Sequence, residues 1–316
     1  MVARILVTGA GGFIGRALCL ALAARGHRVV AGLRRPARDA VPGVESRLLG
    51  DIVPGRDWGG ALRDLDIVIH LAQRAHVPPS GPVLSAEPAA AAALARGAAL
   101  SGVRRFVYLS SIKAMGEATA PGRPFRPNDA PLPQDAYGRA KLATERALDA
   151  AAAETGLDLA ILRPPLVYGA GVGGNFRALL RLARSGLPLP LAGLENRRSL
   201  LARGNLVDLI ATICAYPATV PAGSGRILLA SDGADLSTPE LVRILAAAQG
   251  RNASLFPLPT PLFAGLRRLP VVGPAVCRLT LSLQVDDAAT RTTLDWRPPL
   301  PAEAALAETA HAFSRS

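Results

Sequence analysis

The stretch Arg4-Ile5-Leu6-Val7-Thr8, followed by Gly9-Ala10-Gly11-Gly12-Phe13-Ile14-Gly15, decides the fold. The first five residues are a β-rich apolar run, the glycines make a turn, and an apolar helix is expected from Arg16 to Arg25. A strand, a glycine turn and a helix in that order aim backbone N–H groups and a helix N-terminus at one point, where a pyrophosphate can bind. The glycines stand at 9, 12 and 15, which is GxxGxxG and not the GxGxxG spacing. Such turns also join strands to helices without a ligand, but one that opens a βαβ pattern favours a dinucleotide.

Working outward, a second strand is expected over His27 to Leu33, ending in Leu33-Arg34-Arg35. An acid at this strand end would bond a ribose 2′-hydroxyl, whereas an arginine suits a 2′-phosphate, so Arg34 leans the cofactor toward NADP. The bland reading is a pair of solvated arginines. A third strand, Val44 to Leu49, leads to Asp51-Ile52, and a fourth, Asp66 to His70, leads to Leu71-Ala72. An alanine- and leucine-rich helix from Ser85 to Ser101 precedes a fifth strand, Arg104 to Leu109. A helix from Tyr137 to about Glu154 and a sixth strand, Leu157 to Arg163, follow, and Pro164-Pro165 stops that strand. The alternation predicts an α/β chain with a Rossmann-type, doubly wound parallel sheet whose strand ends carry the ligands.

Past Tyr168 the pattern turns irregular, with glycines at 169, 171, 173 and 174 and short helical segments at Phe176 to Ser185, Asn205 to Ala215, Thr238 to Gln249, Pro261 to Leu269 and Pro301 to Phe313. This predicts a dinucleotide-binding domain over 1–165, joined by segments near 198–230, and a smaller, mostly helical substrate lobe from 166–197 and 231–316. The stretch Leu255 to Leu279 mixes apolar residues with Arg267, Arg268 and Arg278. It reads either as a membrane-surface contact or, as its apolar periodicity favours, as helices packed over a substrate pocket.

The chemistry sits in the middle of the chain, in Ser110-Ser111-Ile112-Lys113 and Tyr137-Gly138-Arg139-Ala140-Lys141. Tyr137 and Lys141 are four apart on the expected helix and share a face. A free phenol, with a pKa of about 10, is a poor base at neutral pH, and an adjacent ammonium stabilises its phenolate. Lys141 can supply that charge, and Ser111 can hydrogen-bond the oxygen whose proton Tyr137 moves. The group reads as an acid/base device for an alcohol or ketone. The bland alternative is an exposed tyrosine and lysine, but among 36 Lys and Arg residues Lys113 and Lys141 are the only lysines, and both fall here.

Composition bounds the rest. The 316 residues, half of them hydrophobic and 4% aromatic, can bury a substantial core of Ala, Leu and Val. Cys19, Cys214 and Cys277 have no paired spacing, so neither a disulfide framework nor a metal site is expected, and a reducing cytoplasm fits. No leader peptide and no apolar run long enough for a transmembrane helix are read from the sequence. The net charge of +12 comes from scattered arginines without a basic tail or basic-aromatic alternation, so no nucleic acid is expected and an anionic small substrate is.

With Gly9-x-x-Gly12-x-x-Gly15, Ser111 and Tyr137-x-x-x-Lys141 in order, the chain resembles the extended short-chain dehydrogenase/reductases of the nucleotide-sugar epimerase/dehydratase group. Its runs Gly122-Arg123-Pro124-Phe125, Arg163-Pro164-Pro165-Leu166-Val167-Tyr168-Gly169, Gly174-Asn175-Phe176 and Asn196-Arg197-Arg198-Ser199-Leu200 look most like bacterial reductases that form UDP-N-acetylquinovosamine from a 4-keto-6-deoxy precursor. Similar sequences often carry the name UDP-glucose 4-epimerase. The resemblance implies NAD or NADP as cofactor and a UDP-linked sugar as substrate. Gly9, Gly12 and Gly15 would face the pyrophosphate and Asp51 with Ile52 would hold the adenine, with Phe13, Ile14 and Arg34 also among the cofactor-binding residues. Leu71, Ala72, Ser110, Lys141 and Pro164 would complete the cofactor site. Tyr137 would be the acid/base, Lys141 its partner and a ribose ligand, and Ser111 would hold the oxygen at C4. Lys113, Asn175 and Arg198 would contact the substrate, the last two at its diphosphate.

Three activities remain open at this point: a 4-keto reductase, a 4-epimerase with retained NAD, and a non-catalytic NAD(P)-binding regulator. The third is prompted by Glu87-Pro88-Ala89-Ala90-Ala91, where the group usually has Asn-Val-x-Gly-Thr, and is opposed by the intact Ser111, Tyr137 and Lys141. Leu200-Leu201-Ala202-Arg203 stands where relatives tend to carry an aromatic-rich strand. The alanine-rich helices at 85–101 and 141–153 read as a homodimer interface, as the resemblance implies, or simply as faces buried on the sheet.

Overall fold

The computed structural model describes residues 2–35, 41–73, 82–120, 122–217 and 226–315. Its strands are β1 (Arg4–Thr8), β2 (Arg28–Leu33), β3 (Glu45–Leu48), β4 (Ile67–His70), β5 (Arg105–Leu109), β6 (Asp158–Arg163), β7 (Leu166–Tyr168), β8 (Leu200–Ala202) and β9 (Ile227–Leu229). Its helices are α1 (Phe13–Ala24), α2 (Pro82–Leu100), α3 (Ala136–Thr155), α4 (Gly174–Ser185), α5 (Arg203–Ala215), α6 (Thr238–Ala247), α7 (Thr260–Arg267), α8 (Gly273–Thr280), α9 (Ala288–Leu294) and α10 (Ala302–Ser314).

Seven strands form one parallel sheet in the order β3-β2-β1-β4-β5-β6-β9. The order reverses at β1, whose Thr8 lies beside Gly32 of β2 and His70 of β4. That reversal opens a crevice at the carboxyl ends of the strands. Because both faces of the sheet are covered at its centre, the central strands are buried, every residue of β4 and β5 included. The edge strand β3, Glu45-Ser46-Arg47-Leu48, is instead largely exposed. One face carries α1 and α5 through Leu18, Leu22, Leu206 and Ile210, and the other carries α2 and α3 through Leu94, Ala95, Ala98, Leu148 and Ala152. Alanines on α2 and α3 let both helices lie close to the sheet and to each other.

Two departures from the sequence reading concern short strands. Pro164 and Pro165 end the β6 ladder, and the chain re-enters as β7, which pairs in parallel with β8 in a separate two-stranded sheet. After α5 the chain adds β9 to the edge of the main sheet, Leu228 beside Leu162. Each is three residues long, too short for any periodicity to register. Residues 218–225, within the stretch assigned to the first domain, lie outside the described residues. Helix α1 starts at Phe13, earlier than Arg16, because Gly12 already occupies the capping position.

Helices α4, α6 and α10 gather on a second core of Phe176, Leu180, Leu241, Leu245 and Leu306. Asp232 ties this core to β7, β8 and α5. It accepts hydrogen bonds from the Tyr168 hydroxyl at 2.8 Å, the Ala202 amide at 2.8 Å and the Asn205 side chain at 2.7 Å. Helix α6 begins with a capping box between Ser237 and Glu240. Among the described residues no helix is long and apolar enough to cross a membrane.

Candidate active site

The glycine turn is shaped by close approach. Gly9 has φ +70°, and a Cβ there would stand 2.9 Å from the Ala72 amide nitrogen. A Cβ on Gly15 would stand 2.2 Å from the Gly9 carbonyl oxygen, so α1 can lie against the turn only with glycine at that position. Gly12 caps α1 with no side chain of its own to occupy the first-turn N–H groups. These N–H groups and the helix dipole make a ready anion site. A cleft of about 630 Å³ opens here, lined by the 9–12 turn, Arg34, Asp51, Ile52, Leu71, Ala72, Gln73 and Glu87. The Thr8 Oγ1 at its floor accepts the amides of Leu71 and Ala72 at 3.2 Å each and meets His70 Nδ1 at 2.8 Å. With both lone pairs taken, the hydroxyl donates to Nδ1, and the His70 proton sits on Nε2. Burial, with the Lys141 charge adding, pushes His70 down to about 3 and keeps it neutral.

Ser111 and Tyr137 meet beside this cleft. Ser111 caps the short 3-10 turn over Ile112–Ala114, its Oγ accepting the Lys113 amide at 3.2 Å. Asp135 caps α3 by accepting the Gly138 amide at 2.6 Å. A Cβ on Gly138 would lie 2.3 Å from the Lys113 carbonyl oxygen, so this glycine lets the Tyr137 helix close on the Ser111 turn. The Tyr137 hydroxyl donates to Gln73 Oε1 at 3.4 Å, while Gln73 Nε2 donates to the Leu109 carbonyl at 2.6 Å. Gln73 thus links the tyrosine to the cleft wall.

Lys141 lies deeper. Its Nζ donates to the Tyr108 hydroxyl at 3.1 Å and the Leu109 carbonyl at 3.3 Å, and lies 5.6 Å from the centre of the Tyr137 ring. Glu87 Oε1 stands 3.8 Å from it. Burial pulls the lysine down to about 8, against the opposing pull of Glu87 and Glu145. Tyr137 is pushed up to about 12, first by burial and then by the Glu87 carboxylate, while Ser111 works the other way. The expected direct lowering of the phenol by Lys141 is therefore not what this arrangement gives: Glu87 takes the ammonium, and its own negative charge faces the phenol.

Known proteins resemble this chain in sequence and in fold. The sequence model of the NAD-dependent epimerase/dehydratase family matches residues 5–227. The chain belongs to that family. It is 38% identical over 319 residues to a UDP-glucose 4-epimerase of Vibrio cholerae, across 98% of this chain and 95% of the relative. It is 31% identical to a 2-alkyl-3-oxoalkanoate reductase of Stenotrophomonas maltophilia, across 78% and 76%. The solved structure of MoeE5 in complex with UDP-glucuronic acid and NAD matches at a TM-score of 0.76 and 25% identity, covering 99% of both chains. A Bacillus cereus UDP-N-acetylglucosamine 4-epimerase shares the fold at a TM-score of 0.77 and 21% identity, covering 99% of this chain and 100% of that one.

As a member of this family the protein is an NAD(P)-dependent enzyme of the extended short-chain dehydrogenase/reductase type. Its other expected site residues are dispersed. Phe13 and Ile14 open α1, and the Arg203 guanidinium lies 4.7 Å over the Phe13 ring. Pro164 is buried and its carbonyl accepts the Ile112 amide at 2.9 Å, bracing the Ser111 turn. The Ser110 hydroxyl turns inward and donates to Glu145, which also holds Arg163 in a buried pair at 2.5 Å. Lys113 is ion-paired to Asp135 at 2.6 Å and Glu117 at 3.1 Å; burial alone would lower it, but those hydrogen bonds raise it. Arg198 is half-buried, donates to the Leu281 carbonyl at 2.9 Å, and is lowered by burial and by Arg278. Asn175 is exposed in the first turn of α4.

Sequence reasoning did not single out Gln73, His70 or the Glu145–Arg163 pair, and it read Glu87 only as a departure from a family run. None carries a local signal. Their roles come from strand order, which sets β4 between β1 and β5, and from the packing of α2 on α3. Among the described residues no cluster of His, Cys, Asp and Glu could hold a metal ion.

Proposed function

We propose that this enzyme reduces the 4-keto group of a UDP-linked 4-keto-6-deoxy-N-acetylhexosamine, giving a UDP-N-acetylquinovosamine-type product. The observation that carries the reading is the Tyr137 hydroxyl bonded to Gln73, a wall residue of the glycine-lined cleft. The cleft fits a dinucleotide: glycines stand where a Cβ would collide, and the bare N-terminus of α1 suits a pyrophosphate. Asp51 and Ile52 would flank the adenosine, Arg34 a 2′-phosphate where one is present, and Lys141 a ribose. When bound, the nicotinamide supplies the hydride to C4.

The protein moves the proton. Tyr137, held protonated by its raised pKa, gives its proton to the C4 oxygen, and Ser111 donates a hydrogen bond that orients that oxygen. Lys141 balances the phenolate left behind until solvent returns the proton. Arg198, whose planar fork matches phosphate oxygens, and Asn175 would grip the diphosphate from the lobe side of the chain. That lobe would comprise 166–197 and 231–316. Cys19, Cys214 and Cys277 are free thiols and suit a reducing cytoplasm as the place of reaction.

The 38% identity to the Vibrio cholerae UDP-glucose 4-epimerase supports a second reading. There Tyr137 would first take the C4 hydroxyl proton and then return it after the keto sugar turns over, with no net use of coenzyme. Either activity requires Tyr137 as the proton donor or acceptor. Tyr137→Phe should lower turnover by about 10²- to 10⁴-fold while coenzyme still binds, and unchanged turnover would remove Tyr137 from the chemistry.

A further inference from the structure

Residues 241–285 contain five arginines, Arg243, Arg251, Arg267, Arg268 and Arg278, and neither Asp nor Glu. Within this acid-free stretch α7 and α8 form a helical hairpin. Its turn is tight, since a Cβ on Gly273 would lie 2.3 Å from the Arg267 carbonyl oxygen. The inner side is anchored: Phe263 is buried, and Arg267 Nε donates to Thr280 Oγ1 at 2.8 Å.

The outer side is different. Leu262, Leu269, Val271 and Val272 are exposed, Val271 at 88%, and Phe256 just before the hairpin is exposed as well. Of fourteen exposed large hydrophobic residues among the described ones, these five fall within residues 256–272. Single exposed apolar side chains are ordinary on a protein surface, whereas a cluster of them marks a contact.

The charge pattern selects what is contacted. A symmetric contact with a second copy would set the same arginines against themselves with no carboxylate from either hairpin to neutralise them. An anionic bilayer meets both demands: it takes apolar side chains into its interface and pairs arginines with headgroup phosphates. We propose that the α7–α8 hairpin docks this enzyme on an anionic membrane surface, with Leu269 and Val271 entering the interface and Arg268 lying at the headgroups.

Flotation of the purified full chain with vesicles tests this directly. The protein should float with vesicles of equal parts phosphatidylglycerol and phosphatidylcholine, stay behind with phosphatidylcholine alone, and release as salt is raised. Arg268→Glu should weaken binding at least about fivefold, the expectation for one arginine near such a surface. Val271→Asp should abolish flotation while turnover and melting temperature stay unchanged, because its side chain stands at the exposed tip. A wild-type protein that does not float, or a Val271→Asp variant that floats equally well, overturns the proposal. A dimer by light scattering that becomes a monomer on Val271→Asp assigns the face to a second copy and overturns it too.

Discussion

Glu87 Oε1 stands 3.8 Å from Lys141 Nζ and accepts no hydrogen bond, so a carboxylate on α2 is the near counter-ion of the buried lysine. The other carboxylate facing Lys141, Glu145, is already committed to Arg163 and Ser110. Glu87 favours a charged Lys141 and disfavours a charged Tyr137. Glu87→Gln removes both influences, and both pKa values then fall. Reduction needs Tyr137 protonated and Lys141 charged, so the alkaline limb of kcat against pH should move to lower pH by about one unit. A role in packing alone would change kcat without moving the limb.

His70 ties the cleft floor to acid stability. It is held neutral to about pH 3, whereas in the unfolded chain it titrates near 6.5. Below that value the unfolded state binds a proton that the folded state refuses, so stability is complete above about pH 6.5 and falls as pH drops from 6.5 toward 3. His70→Asn keeps an acceptor for Thr8 and removes the titration. Melting temperature against pH should flatten in that window, and an unchanged slope would show that other groups carry it.

Gly15→Ala should be among the most damaging small changes in the chain. Its Cβ would collide with the Gly9 carbonyl at 2.2 Å, and separating α1 from the turn costs about 1–3 kcal/mol as overpacking. Coenzyme affinity should fall together with melting temperature. Gly60→Ala, whose Cβ meets nothing within 4 Å, is the matched control and should leave both in place.

The Glu145–Arg163 pair joins α3 to β6 beneath the Ser111 turn. Glu145→Gln leaves a buried guanidinium without its counter-charge and should cost about 3–5 kcal/mol in denaturant unfolding. The double change Glu145→Leu with Arg163→Met should cost less than the single one, since neither charge then remains buried alone. A single variant of wild-type stability would contradict a structural role for the pair.

Much of this site is local and was therefore readable in the chain. Gly9, Gly12 and Gly15 belong to one turn, and Tyr137 and Lys141 lie one helical turn apart, so spacing alone brings each set together. The main sheet was readable as far as β6 because apolar strands alternate with helices. Strands β7, β8 and β9 were not, since three residues carry no period and pairing partners lie far away in sequence. Gln73 and Glu87 escaped for the same reason: neither residue type implies a site, and each reaches Tyr137 or Lys141 only through β4 and α2. The electrostatics followed suit. From the i, i+4 spacing Lys141 should lower the Tyr137 pKa, but burial, and after it the nonlocal Glu87, raise it instead.

The most direct test of the account follows nicotinamide absorbance while the purified enzyme meets UDP-4-keto-6-deoxy-N-acetylglucosamine, with NADPH and NADH in parallel. Continuous oxidation of the reduced coenzyme over many turnovers, lost in Tyr137→Phe, is the result expected of a 4-keto reductase, and a preference for NADPH would assign Arg34 to the 2′-phosphate. No oxidation with either coenzyme, together with interconversion of UDP-hexoses without added coenzyme, would contradict reduction and establish the epimerase.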